Sequence, residues 1–251
     1  MTTVALLLIA IILATRIPLL LWDQAVKRWQ AILVSVLQIV VTLTLLKGAY
    51  SQWVLVLLLA LGNLIWYQAE HHTQWSRHVV RLATLLGVGL MTTVMASTWF
   101  GLSFRDLHPI LAAVRPWFEP VGLLERLSWR AVLTTGIGLM LCLNEANLLI
   151  RLVIDRLSLK PKDPVTDPTD KRLINKEYQR GRIIGILERL TIFTLVFTAQ
   201  YSAMGFVLAA KAMARFKTLD DRDFAEYFLV GTLLSVVLAG GLALAVRRAL
   251  G

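Results

Sequence analysis

Long apolar runs separated by short polar breaks dominate the chain, and most of the runs have the length of membrane helices. The first covers residues 4–22, VALLLIAIILATRIPLLLW. No basic stretch precedes it and no small-x-small site follows, so it reads as a retained membrane helix and not a signal peptide. A second run covers 31–50. A third, 53–67, is flanked by Trp53, Trp66 and Tyr67, and a fourth, 79–100, ends in Trp99 and Phe100. Aromatic residues at run ends fit a membrane interface, where an apolar ring body and a polar tip are both accommodated.

Residues 101–128 break this rhythm. Pro109, Pro116 and Pro120 interrupt a mixed charged and apolar stretch, which predicts short helices lying at the interface. The fifth run starts near Trp129, stays apolar to Leu143, and continues as NEANLLIRLVIDRL with helical spacing but growing charge. The stretch 158–170, SLKPKDPVTDPTD, is a solvated linker. Thr169 or Asp170 then caps a long helix from Lys171 that enters the membrane near Gly181 as the sixth run.

Residues 201–217 allow two readings. As a continuation of the sixth run they give seven crossings. As a separate short helix after a turn near Tyr201–Ser202 they give eight, with the last at 225–246. The third run and 201–217 are both short against the roughly 20 residues of a full crossing, so a re-entrant path is an alternative for either. The fold class is all-α, a polytopic transmembrane helical bundle of seven to eight membrane segments. It divides into N-terminal membrane helices (1–128, with the interfacial segment 101–128) and a C-terminal membrane bundle (129–251, with a cytoplasmic loop 155–182).

Composition sharpens this picture. Of 251 residues, 57% are hydrophobic and 17% charged, against about 25% charged in soluble domains, and mean hydropathy is +0.67. A soluble enzyme and a disordered chain are both excluded. The net charge of +10 reads as orientation, because basic loops stay cytoplasmic. Both topologies place the N-terminus outside, and eight crossings put the larger share of Lys and Arg inside. Cys142 is the sole cysteine, so no disulfide framework or CxxC metal site exists.

Ionisable groups in apolar helices need partners, since each costs on the order of 2.5–3.5 kcal/mol on insertion scales. The candidates are Asn144, Glu145 and Asn147 in the fifth run, Glu188 and Arg189 in the sixth, Lys211 and Arg215, and Glu226. With a hairpin at 201, the last three groups gather at the cytoplasmic end of a three-helix unit, where Glu188 and Glu226 neutralise Lys211 and Arg215. Without it, Glu188 faces the opposite leaflet, so the charges favour the hairpin. Small residues suggest close helix packing: Gly181–Gly185, Gly205–Ala209, and Gly231–Ser235–Ala239, each at i, i+4 spacing.

The motifs GRIIGILERL, AAKAMARF and EYFLVGTLLS, in that order over roughly residues 180–240, resemble the C-terminal half of a family of bacterial polytopic membrane proteins of unknown function. On that resemblance Gly185, Glu188, Arg189, Lys211, Arg215, Glu226, Tyr227, Gly231, Thr232 and Ser235 match the family pattern. The early segments depart from it, carrying Arg16 and Pro18 but not the His and Asp motifs of other members. The resemblance implies no settled activity.

Catalytic and metal chemistry find little support. EHHTQWSRH places Glu70, His71, His72 and His78 between runs three and four; His71 and His78, seven apart, would share a helix face as a weak bis-His metal candidate. Solvated interfacial histidines are the favoured reading. In NEAN, Asn144, Asn147 and Arg151 share one face with Glu145 about 100° around it, which suits interhelical hydrogen bonding first and an ion or ligand site second. No Ser-His-Asp set, P-loop or dinucleotide fingerprint is present, and no cofactor is expected. The loop 155–182 holds eight Lys/Arg against five Asp/Glu with one aromatic, Tyr178, which is thin for nucleic acid.

The sequence therefore predicts a non-enzymatic, multi-pass protein of the bacterial inner membrane, a subunit or scaffold of a membrane assembly. Its expected partners are the lipid bilayer, a membrane protein or a second copy, and anionic headgroups at the cytoplasmic face. The rival is a transporter of a small solute, ion or lipid, or an intramembrane enzyme, with Glu145, Glu188, Lys211 and Glu226 around one polar cavity. The N-terminal spans look nearly featureless, which points any function to the C-terminal bundle.

Overall fold

The computed structural model describes residues 3–17, 26–48, 50–72, 76–97, 100–104, 128–157, 171–214, 216 and 219–251. They are overwhelmingly helical, and five helices are long and apolar enough to cross a membrane. The chain forms two compact units, Met1–Met140 and Leu141–Gly251. Most of the interfacial stretch expected at 101–128, and the whole linker 158–170, lie outside the described residues.

In the first unit, helix α1 (Thr3–Arg16) touches α2 (Arg28–Leu45), α4 (Arg77–Met95) and α5 (Trp129–Met140), while α3 (Tyr50–His72) packs on α2 and α4. Helix α1 is apolar nearly all round, so it can be enclosed: Val4, Ala5, Leu8 and Ile12 are buried with Leu46, Leu55, Leu59 and Met95. A second cluster joins Val26, Ala31, Val34, Trp66 and Val80. Two short strands, β1 (Leu46–Lys47) and β2 (Ser103–Phe104), pair antiparallel with Leu46 opposite Phe104.

The third run, short in the sequence reading, becomes the 23-residue α3. At 1.5 Å per residue that is about 34 Å, enough for a crossing. Its inner face recurs every three or four positions: Gln52, Leu55, Leu59, Asn63, Trp66 and Glu70 are buried. Its outer face exposes Leu57, Leu61, Leu64 and Ile65. Helix α2 does the same, burying Gln38 and Thr42 while exposing Ile32, Leu33, Val36 and Val40. Polar groups turned inward and aliphatic ones outward invert the pattern of a water-soluble bundle. Lipid is the solvent that makes such an arrangement favourable.

The second unit begins with a π-turn, Leu141–Glu145, inside the helix that α5 opens and α6 (Ala146–Arg156) continues. Helix α7 (Lys171–Phe197) and α8 (Tyr201–Ala214) follow, then α9 (Arg222–Leu250), which lies along α7 and touches α6. A turn at Thr198–Gln200 separates α7 from α8, with Ala199 in the left-handed region at φ 60°. No glycine or proline marks it in the sequence, which is why the continuous-helix reading stayed open. Lys211 pairs with Glu188, and the two lie nearly equidistant from the turn, so α8 folds back beside α7.

Helix α9 packs through small residues. Ser235, Ala239 and Ala243 are buried at successive i, i+4 steps. Opposite them α7 buries Ile192, Phe193 and Val196, and a Cβ on Gly240 would sit 3.7 Å from Val196. Asp221 caps α9 by accepting the Phe224 N–H at 2.9 Å.

Candidate functional site

Each unit holds a polar centre, and the one in the first unit was not anticipated. Asn63 Nδ2 donates to Gln38 Oε1 at 2.8 Å, Gln38 Nε2 donates to Thr15 Oγ1 at 2.7 Å, and Thr15 donates to the Ile12 carbonyl at 2.8 Å. This relay ties α3, α2 and α1 together on buried side chains. Beside it, Arg16 Nη2 donates to the Arg81 carbonyl at 2.7 Å, and its guanidinium lies 5.5 Å from the Trp66 ring centroid, within cation–π range.

Below Trp66 on the same α3 face sits Glu70. Arg81 on α4 donates to Glu70 Oε1 from both Nε (3.1 Å) and Nη2 (2.5 Å), with side chains 2% and 0% exposed. A small cavity opens among these helices, walled by Arg16, Gln38, Asn63, Trp66 and Thr84, with room for about one water. Spacing was the sequence signal for this centre: Gln52, Asn63 and Glu70 recur on one face of α3, as Gln38 and Thr42 do on α2. Each is a lone polar residue in an apolar run, and only the shared face gives it meaning.

In the second unit the π-turn sets the geometry. A π-turn shifts hydrogen bonding from i→i+4 to i→i+5 and leaves a carbonyl without its intrahelical donor. Arg189 supplies donors: Nε reaches the Cys142 carbonyl at 3.1 Å and Nη2 the Leu143 carbonyl at 3.4 Å. The buried Cys142 thiol in turn lies 3.7 Å from the Arg189 carbonyl, as donor. Gly185, one turn before Arg189, lies against that side chain, where a Cβ would make ordinary van der Waals contact with Nη1 at 3.6 Å. Asn144 Nδ2 donates to Glu145 Oε1 at 2.9 Å, both residues buried, while Asn147 is only partly covered.

Helices α7 and α8 are joined by Lys211 Nζ on Glu188 Oε2 at 2.5 Å, with Lys211 also 5.0 Å from the Phe228 ring centroid. This half-buried pair borders a narrow crevice with Thr232, Ser235 and apolar neighbours. Glu226 departs from expectation. It is exposed and pairs with Arg222 one turn before it at 2.9 Å, not with Lys211, because the i, i+4 partner on its own helix is nearer to hand. Arg215, its other expected partner, lies outside the described residues.

The predicted polar residues thus divide among three places: Asn144 with Glu145, Glu188 with Lys211, and Glu226 with Arg222. The small-residue sites divide too. Gly231 approaches Ile154 and Ser235 is buried, whereas a side chain at Gly181 or Gly205 would meet nothing within 4 Å.

His71 and His78 fall on different helices, α3 and α4, so they share no helix face. The chain breaks between them because Ser76 starts a new helix, its hydroxyl accepting the Val79 N–H. The His71 ring instead contacts the Tyr67 carbonyl at 2.9 Å and stacks near the Tyr67 ring. Among the described residues no group of three or more His, Cys, Asp or Glu side chains is placed to hold a metal ion. No protein-family model matches the chain, and no curated protein or solved structure shows significant similarity to it.

Proposed function

We propose that this protein is a non-enzymatic, multi-pass component of a bacterial inner membrane, serving as a subunit or scaffold of a membrane assembly. The observation that carries the reading is the division of Glu145, Glu188, Lys211 and Glu226, among the described residues, into three separate partnered pairs. A transport or catalytic site needs convergent groups, whereas here Glu188–Lys211 ties two helices and the other two pairs each lie along one stretch of helix. The turn at Ala199 and the Glu188–Lys211 pair favour eight segments with the N-terminus outside. The basic run 151–182 then forms a cytoplasmic docking face for a partner protein or anionic headgroups. The order of GRIIGILERL, AAKAMARF and EYFLVGTLLS is the reason to group the chain with the family of unknown function that it resembles.

The test is affinity purification from gently solubilised membranes. A reproducible co-purifying membrane protein or a stable homo-oligomer supports the scaffold reading, and recovery of the lone monomer in every detergent tried counts against it. One observation favours the rival, since π-turns recur at functional sites and this one carries buried Asn144 and Glu145. Complementation with Glu145→Gln separates the two: full activity removes the rival, and loss of activity in a folded variant removes the scaffold.

A further inference from the structure

We propose that α2 and α3 together hold the phosphate of an anionic glycerophospholipid, with Arg28 and Tyr67 as its ligands and the outer face of α2 as the bed of its acyl chains. The inference rests on the reading of the chain as membrane-spanning, and on neither the scaffold role nor the orientation.

Charge comes first. Four helix ends meet here, since Arg16 reaches the Arg81 carbonyl, Arg28 reaches Tyr67, and Arg81 reaches Glu70. The two stretches that carry these ends, 16–28 and 70–81, hold five Lys or Arg against Asp23 and Glu70. Glu70 Oε1 is taken by Arg81. Lys27 and Arg28 are both exposed, and among the described residues neither forms an ion pair with a carboxylate. The surface around them therefore carries an excess of positive charge that suits an anionic headgroup.

The donors are already arranged. Arg28 Nε donates to the Tyr67 hydroxyl at 3.3 Å, which holds the guanidinium beside α3 before any ligand arrives. That bond spends one guanidinium N–H, and the Tyr67 hydroxyl keeps its own proton to give. A guanidinium fork beside a phenol O–H matches the oxygens of a phosphate diester, since Arg binds phosphate through paired, charge-assisted bonds.

The rest of α2 makes lipid the occupant. Ile32, Leu33, Val36 and Val40 are exposed along the helix that Arg28 starts, and Arg28, Ile32, Val36 and Val40 follow one another at i, i+4 steps. At 1.5 Å per residue this stripe runs about 18 Å from Arg28, close to the roughly 15 Å depth of one leaflet's hydrocarbon. Trp29, 56% exposed, lies at the headgroup level that indoles favour. A free phosphate would use the cations and leave the stripe idle; a phospholipid uses both.

The test titrates the detergent-solubilised full chain with phosphatidylglycerol, with phosphatidylcholine of the same acyl chains, and with glycerol 3-phosphate, read by thermal unfolding. Saturable stabilisation by phosphatidylglycerol alone is expected. Arg28→Gln should weaken that response about fivefold, and Lys27→Gln with Arg28→Gln about 25-fold, from the attraction each basic residue exerts on anionic lipid. Arg248→Gln, which removes an exposed cation at the end of α9, should leave it unchanged. Tyr67→Phe, which alters no charge, should weaken it; an unchanged response there means that charge alone attracts the lipid and overturns the site. Equal stabilisation by phosphatidylcholine or glycerol 3-phosphate, or an unchanged response in Arg28→Gln, also overturns it. Release of the chain from membranes by alkaline carbonate overturns the membrane-spanning reading and this site with it, whereas a membrane-integral chain with no phosphatidylglycerol preference overturns the site alone.

Discussion

Removing Glu70 while leaving Arg81 in place should be among the most damaging single changes in the first unit. The pair joins the C-terminal end of α3 to the N-terminal end of α4, and both side chains are essentially inaccessible. In Glu70→Leu the Arg81 guanidinium keeps its burial and loses the carboxylate that accepts two of its N–H groups. Breaking a buried pair from one side costs about 3–5 kcal/mol. The insertion cost of a single charged side chain in a membrane helix, about 2.5–3.5 kcal/mol, agrees in size. For a chain of this length that is on the order of 10 °C in Tm.

The double variant Glu70→Leu/Arg81→Leu removes the charge together with its partner. It should recover most of the loss, because a well-packed apolar replacement of a buried pair is often neutral or better. The assay is thermal unfolding of wild type, both single variants and the double variant in one detergent, read as a double-mutant cycle. The reasoning fails if Glu70→Leu loses less than about 1 kcal/mol, or if the double variant is as unstable as the sum of the singles, a standard set by the same one-sided cost.

Two further outcomes follow from the packing. Arg189→Met leaves the Cys142 and Leu143 carbonyls without their side-chain donors and should cost about 2 kcal/mol in thermal unfolding; Arg189→Lys should not restore it, since a point charge lacks the fork that reaches both. Gly62→Ala forces a Cβ to 2.9 Å from Val88 Cγ2, whereas Gly87→Ala meets nothing within 4 Å; the first should destabilise by about 1–3 kcal/mol and the second be neutral or stabilising by up to about 1 kcal/mol, in the same assay.

The parts of the fold that were legible in the sequence are those governed by averages over many residues. Apolar run length marked the helices at 31–50, 79–100 and 225–246. The hairpin at 201 was legible through charge alone: Lys211 needed Glu188, and only a reversal brings them together. Glu226 escaped that logic because the exposed Arg222 on its own helix competes for it. The polar interior of the first unit was hidden since Gln38, Asn63 and Thr15 become a relay only when three helices bring them into register. Nothing local announces the π-turn, because an i→i+5 step has no composition of its own.

The π-turn and Arg189 are two halves of one arrangement. Deleting a single residue within Leu141–Glu145 would return that helix to a regular ladder and satisfy its carbonyls from within. The arginine facing them would then be a buried cation with nothing to bind, and selection would replace it. Among related chains, helix phase at this point and the residue at position 189 should therefore change together, the one as a gain or loss of length and the other as a switch between arginine and an apolar side chain.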